Sequence, residues 1–232
     1  MVWASLVAGL AAVWGLLLRR RLQMLAYRTE DERRTPPQGS RWWVVPVLAA
    51  SAWLLTTRVQ ETALAVDARV ALLLTMVVLA GACVALAAID LDVHRLPDRI
   101  VAGTGGVLLI GLSLASVLDA GVGPWWRAWA CALASGALYL LLALLTLARG
   151  SLGVGLGDVK LSMLLGAALG WFGVQNAVVG IYAGFVIGGA LALTLLLSGR
   201  VGLRGHLAYG PPMMLGALVG ILLPSDILQR LF

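Results

Sequence analysis

Residues 70–89 read VALLLTMVVLAGACVALAAI, twenty positions without a charged side chain, and the run stops at Asp90. About twenty apolar residues, rising 1.5 Å each as helix, are needed to cross a hydrocarbon layer about 30 Å thick. This stretch therefore predicts a membrane span. Comparable runs recur along the chain and place eight candidate spans at about 2–18, 42–57, 70–89, 100–118, 128–148, 159–173, 175–197 and 208–223. The sixth and seventh are cut from one stretch, 161–198, which is too long for one helix and a little short for two. A turn near 170–175 divides it and leaves a short sixth helix. The fold expected is an all-α polytopic membrane protein with about eight transmembrane helices.

Composition agrees with that reading. Of 232 residues 61% are hydrophobic and 12% charged, which excludes a water-soluble globule. Cys83 and Cys131 both sit inside apolar runs, so neither a disulfide framework nor a thiolate metal site is expected. A net charge of +6 in a soluble chain would suggest nucleic acid as partner. Here the basic residues lie in short loops beside the spans, so anionic lipid is the expected neighbour and nucleic acid is not.

Thirteen of the seventeen basic residues fall in alternate loops, at Arg19, Arg20, Arg21, Arg28, Arg33, Arg34, Arg41, Arg95, Arg99, Arg149, Lys160, Arg200 and Arg204. The remaining four are Arg58, Arg69, Arg127 and Arg230. Cytoplasmic loops collect Lys and Arg, so this asymmetry predicts both N- and C-termini outside. The first run has no basic stretch ahead of it and is followed at once by three arginines, which reads as an uncleaved span. Trp42, Trp43, Trp125 and Trp126 flank spans as interfacial anchors. Residues 1–69 then comprise two N-terminal spans joined by a short Arg-rich cytoplasmic loop, and residues 70–232 a membrane core.

Chemistry concentrates in two places. Residues 89–98 read IDLDVHRLPD, with Asp90, Asp92 and Asp98, and residues 155–161 read GLGDVKL, with Asp158 opening an apolar helix. Two predicted spans lie between Asp90 and Asp158, so one helix leaves, another returns, and both carboxylates face the same side. Carboxylates at the membrane are expensive and are normally kept for function. A pair sharing one proton can serve as base toward water and acid toward a carbonyl oxygen, which hydrolyses a peptide bond. Asp90 ends its helix at the negative pole and Asp158 starts one at the positive pole, so Asp90 is expected to hold the shared proton. Gly155 and Gly157 let a substrate strand approach Asp158 closely.

Each residue also has a plainer reading. Asp158 can be a helix cap, Asp90 a helix terminator, and Asp92 and Asp98 loop or capping residues. His94 reads as a solvated loop residue, and Lys160 either snorkels to the interface or pairs with Asp158. Gly166 with Gly170, and Gly184 with Gly188, have the small-xxx-small spacing of helix packing. Position alone does not choose among Asp90, Asp92 and Asp98.

The combination of IDLDVHRLPD, two spans, and GLGDVKL resembles the paired signature of the bacterial prepilin peptidases, or type IV leader peptidases, a family of intramembrane aspartic proteases. The likeness extends over about 70–223 and includes Ala208-Tyr209-Gly210-Pro211, similar to a late Gly-Pro element of that family. It implies Asp90 and Asp158 as the catalytic pair, with Gly155, Gly157, Lys160, Pro97 and Asp98 as supporting motif positions. It further implies removal of a short basic leader from pilin-like precursors, after a glycine and before a hydrophobic helix, at the cytoplasmic face of the bacterial cytoplasmic membrane. Proteolysis of this kind needs no metal or cofactor. Larger members carry a domain with two CxxC pairs between their first two spans and methylate the new N-terminus with S-adenosylmethionine. Residues 19–41 contain no cysteine, so no zinc site is expected, and S-adenosylmethionine would be a cofactor only if methyl transfer is retained.

Three other readings compete. Presenilin-like GxGD proteases have a tyrosine before the first aspartate and a late Pro-Ala-Leu; this chain has Ile89 and Gly210-Pro211-Pro212. An ion-coupled transporter would place its acids near mid-membrane within internal repeats, whereas these abut a span boundary. An inactive relative assisting pilus assembly would not need both aspartates.

Overall fold

The computed structural model describes residues 2–30, 32, 41–148, 155–198 and 208–223. Among these, eight α-helices account for nearly all ordered backbone: α1 (Val2–Gln23), α2 (Val44–Gln60), α3 (Val66–Val93), α4 (Asp98–Ala115), α5 (Val122–Ala148), α6 (Leu156–Phe172), α7 (Val174–Leu197) and α8 (Gly210–Leu222). Prolines mark where several begin. Pro46, Pro124, Pro211 and Pro212 sit in first turns, and Pro97 immediately precedes α4, positions where a missing N–H costs no helical hydrogen bond.

Five segments are long and apolar enough to cross a membrane: α1, α3, α4 with the π-turn Ser116–Ala120 that extends it, α5 and α7. The chain is a multi-pass membrane protein. Helices α2 and α8 are apolar but shorter, at 17 and 13 residues, and α6 has 17. The predicted turn at 170–175 contracts to a single residue, Gly173, in extended conformation between α6 and α7.

Several helix ends differ from the sequence reading: α5 begins at Val122 instead of 128 and α3 at Val66 instead of 70, and two C-terminal ends run on. Helix α1 continues through Arg19–Arg21 to Gln23, and α3 runs past Asp90 to Val93, so Asp90 lies inside the last turn instead of terminating it. Helix α3 has 28 residues. At 1.5 Å per residue that is roughly 42 Å, which exceeds the hydrocarbon thickness.

The chain divides into two compact units, residues 1–125 and 126–232, with the division inside α5. In the first, α2 packs on α1 and α3, and α4 on α3. Gly81 of α3 admits the Trp14 indole of α1, whose ring would lie about 2.0 Å from a Cβ there. In the second, α7 pairs with α8, and α6 packs against both. Gly166 and Gly170 of α6 meet Cys131 and Ala132, and Ala128 and Cys131, of α5, while Gly184 of α7 lies against Pro212 and Met213 of α8. The glycine pairs are therefore helix-packing positions.

Gly216 tests this packing sharply. A Cβ there would stand 2.3 Å from the Gly184 nitrogen and 2.6 Å from the Gly180 oxygen, both rigid backbone, whereas at Gly106 nothing lies within 4 Å. Gly216→Ala should destabilise the solubilised protein by about 1–3 kcal/mol in thermal unfolding. Gly106→Ala should be neutral or stabilising, by up to about 1 kcal/mol.

Candidate functional site

In the first unit the acidic stretch is built on the end of α3. His94 adopts left-handed backbone (φ 50°, ψ 41°) and donates its N–H to the Asp90 carbonyl at 2.9 Å, which stops the helix. Pro97, extended at φ −65° and ψ 120°, restarts the chain as α4, with Asp98 its first residue. Asp90 is buried, at 5% exposure, although it is an acid; Asp98 and His94 are exposed and Pro97 partly so. His94 is thus a solvated residue with a capping backbone.

Asp92 is neither loop nor cap. Its carboxylate lies at the centre of a buried cluster, accepting from Arg28 Nε at 2.8 Å and Nη2 at 2.6 Å, from Arg41 Nη2 at 2.9 Å, and from the Tyr27 hydroxyl. The side chains of Arg28, Arg41 and Asp92 are 1%, 4% and 2% exposed. Arg41 also donates to the Tyr27 oxygen and to the Leu22 carbonyl. Beside the cluster, Arg28 Nη1 donates to the Glu32 carbonyl at 3.0 Å, and the Glu32 carboxylate accepts from Thr29 N–H at 2.7 Å and Arg95 at 3.1 Å. The Thr29 N–H first, and the Arg95 charge less, hold Glu32 below the usual carboxylate range. Burial, and then the bond to Asp92, push the Tyr27 phenol above its ordinary value and keep it neutral.

The second unit holds the other motif. Gly155 is the extended N-cap of α6 (φ −79°, ψ 154°), and Asp158 stands at the third helical position, not at the cap itself. Its carboxylate accepts the Gly155 N–H at 3.1 Å, the acidic half of a capping box at the positive helix pole. Gly157 and Asp158 are partly exposed, Gly155 and Lys160 exposed. One turn on, Ser162 is buried and its carbonyl accepts from Ser135 Oγ of α5 at 2.8 Å.

The same end of this unit carries an aromatic group that sequence reasoning missed. Tyr139 of α5, 2% exposed, stacks on Phe185 of α7 with centroids 5.4 Å apart, and Tyr209, just before α8, lies 6.3 Å from Tyr139. Tyr139, Ser162, Leu165, Gly184 and Met213 line a crevice with room for about one water molecule. Tyr209 belonged to a recognised motif, whereas Tyr139 is a lone tyrosine in a leucine-rich helix and carried no signal.

Asp90, Pro97 and Asp98 thus belong to the first unit, and Gly155, Gly157, Asp158 and Lys160 to the second. Among the described residues no group of three or more His, Cys, Asp or Glu is arranged to hold a metal ion.

Comparison with known proteins agrees with the two motifs. The model of the type IV leader peptidase family matches residues 77–203, a stretch that includes both Asp90 and Asp158 and stops short of Ala208-Tyr209-Gly210-Pro211. The chain belongs to the type IV leader peptidase family. It is 34% identical over 137 residues to a prepilin leader peptidase/N-methyltransferase of Neisseria gonorrhoeae, covering 59% of this chain and 44% of that protein. Proteins of the same description from Burkholderia pseudomallei strains 1026b and K96243 are 33% identical over 146 residues, 60% of this chain and 42% of theirs. The chain therefore spans less than half the length of the curated relatives it matches. No solved structure gives a significant match.

Asp158 can be probed apart from any chemistry. Asn retains an oxygen for the Gly155 N–H and Ala does not, so Asp158→Ala should lower thermal stability by up to about 1 kcal/mol, with Asp158→Asn closer to wild type. Equal stability of the two variants would remove the capping role.

Proposed function

We propose that this protein is an intramembrane aspartic endopeptidase that removes the leader peptide of type IV pilin-like precursors at the cytoplasmic membrane face. Asp90 and Asp158 are its catalytic residues. The single observation that carries the reading is the family match over 77–203, which holds both aspartates. It is supported by the two helical segments between them, 98–119 and 122–148, each long and apolar enough to cross. An even number of crossings returns the chain to the side it left.

In the mechanism, Asp158 takes a proton from a water molecule while Asp90 donates one to the scissile carbonyl oxygen. Attack of the hydroxyl gives a tetrahedral diol. Asp158 then passes its proton to the amide nitrogen, the C–N bond breaks, and the diol proton returns to Asp90, so one water is consumed and both carboxyls are restored. The helix poles support this division of roles, with Asp90 in the last turn of α3 and Asp158 in the first turn of α6. Gly155 and Gly157 leave the approach to Asp158 open, Lys160 supplies positive charge beside it, and Pro97 with Asp98 sets the start of α4. No metal or cofactor is required. The methyltransferase part of the relatives' description is not carried over to this chain.

The accompanying topology has about eight crossings in the bacterial cytoplasmic membrane, both termini outside, residues 1–69 as an N-terminal pair with its short Arg-rich loop, and 70–232 as the catalytic core. Anionic lipid is the expected neighbour of the cytoplasmic loops. Arg33 and Arg34 of that loop lie outside the described residues, and Arg28 and Arg41 are already engaged by Asp92, whose single negative charge offsets one of the two.

Co-expression with a pilin precursor should give a faster-migrating product. Asp90→Asn and Asp158→Asn should each lower processing at least about 100-fold; undiminished processing in either variant would overturn the two-carboxylate mechanism. Single cysteines placed in 91–97 should resist a membrane-impermeant reagent applied from outside, and those in 61–65 should react. The reverse pattern would invert the orientation.

A further inference from the structure

The Asp92 cluster joins three parts of the first unit that are remote in sequence: the segment leaving α1 (Tyr27, Arg28), the residue leading into α2 (Arg41), and the last turn of α3. We infer that Asp92 is a positioning residue for Asp90, its buried contacts with Tyr27, Arg28 and Arg41 fixing the rotation of the last turn of α3. This rests on the protease reading above.

Successive helical residues are turned by 100°, so Asp90 and Asp92 project from nearly opposite sides of one turn. A grip on Asp92 therefore aims Asp90 away from the cluster. The grip is stiff because Arg28 engages both carboxylate oxygens with its planar fork, which resists rotation as a single point contact does not. Arg41 and Tyr27 converge on the same Oδ2 and bond to each other. All three charged side chains are almost wholly buried, so slippage would leave a charge without partner or water. The backbone on the other side is tied as well, because the His94 N–H is spent on the Asp90 carbonyl.

The lever is short and sensitive. A carboxylate about 5–6 Å from a helix axis moves by about 1 Å for each 10° of rotation, and a misplacement of about 1 Å at a reacting group can cost about 100-fold in rate. Nothing in the cluster needs to touch substrate, so the loss belongs to turnover and not to binding.

The experiment uses the full-length protein in detergent or lipid discs with a purified pilin precursor, reading kcat, KM, thermal unfolding, and trypsin cleavage after Arg28. Wild type should be protected at Arg28. Asp92→Asn should open that bond and lower kcat about 10- to 100-fold with KM unchanged. Tyr27→Phe, which keeps both ion pairs and removes one hydroxyl, should remain as stable as wild type to within a few degrees and lose about 3- to 10-fold in kcat. Glu61→Gln, which breaks the exposed Arg58–Glu61 pair at the far end of α2, should change nothing.

Full kcat in either folded cluster variant overturns the inference, as does a loss of activity that only follows the loss of folded protein. If Asp92→Asn does not fold, Tyr27→Phe decides by the same criteria. Wild type that leaves the precursor uncut, or Asp90→Asn that cuts it, overturns the protease reading and the positioning role with it. Active wild type, dead Asp90→Asn and undiminished cluster variants overturn the positioning role alone.

Discussion

A peptide group in hydrocarbon has no water to bond, and this rule governs most of what the chain does. Every crossing must be helical, because a helix satisfies its own N–H and C=O groups. Polar side chains inside the spans obey the same rule locally: the Thr75 and Thr104 hydroxyls donate to carbonyls four residues back in their own helices. Where a helix ends and its last carbonyls lose their partners, side chains from elsewhere supply the donors. Arg127 serves the Gly170 and Trp171 carbonyls at the end of α6, and Asn176 those of Gly220 and Leu223 at the end of α8. Burial of apolar surface cannot drive one helix against another in lipid, so close contact between small residues takes its place, as where Gly216 meets Gly180 and Gly184.

The same rule confines chemistry to helix ends. Asp90 lies in the last turn of α3, whose pole is negative, and Asp158 in the first turn of α6, at a positive pole with a backbone N–H in hand. Two residues of one type thereby acquire different surroundings. In the proposed mechanism this polarity divides acid from base between two side chains of one chemistry, while the protease reading itself stands on the family match.

Much of the helical plan was legible from apolar run length alone, including the break between α6 and α7 now assigned to Gly173. The ends were less legible. Loss of hydropathy places the end of α3 at residue 89, but the helix continues to Val93 because Asp92 is paired and its side chain buried and His94 accepts left-handed backbone. The π-turn at Ser116–Ala120 left no pattern to find. At the candidate site, the motif aspartates are visible, whereas Asp92 reads from sequence as a loop or capping residue. Its partners lie 51 to 65 positions away, in a segment whose arginines looked like solvated charge.

By itself the amino-acid order determined a polytopic helical protein and the two acidic motifs that carry the resemblance to the family, because both are written in local quantities such as run length, charge and spacing. Only the tertiary structure decided which charges are spent on one another, which glycines touch backbone, and that Tyr139, Phe185 and Tyr209 gather in one aromatic group. Those outcomes depend on the rotation of each helix about its own axis. Hydropathy says how long a helix is, while the side chains it meets across the chain say which way it faces.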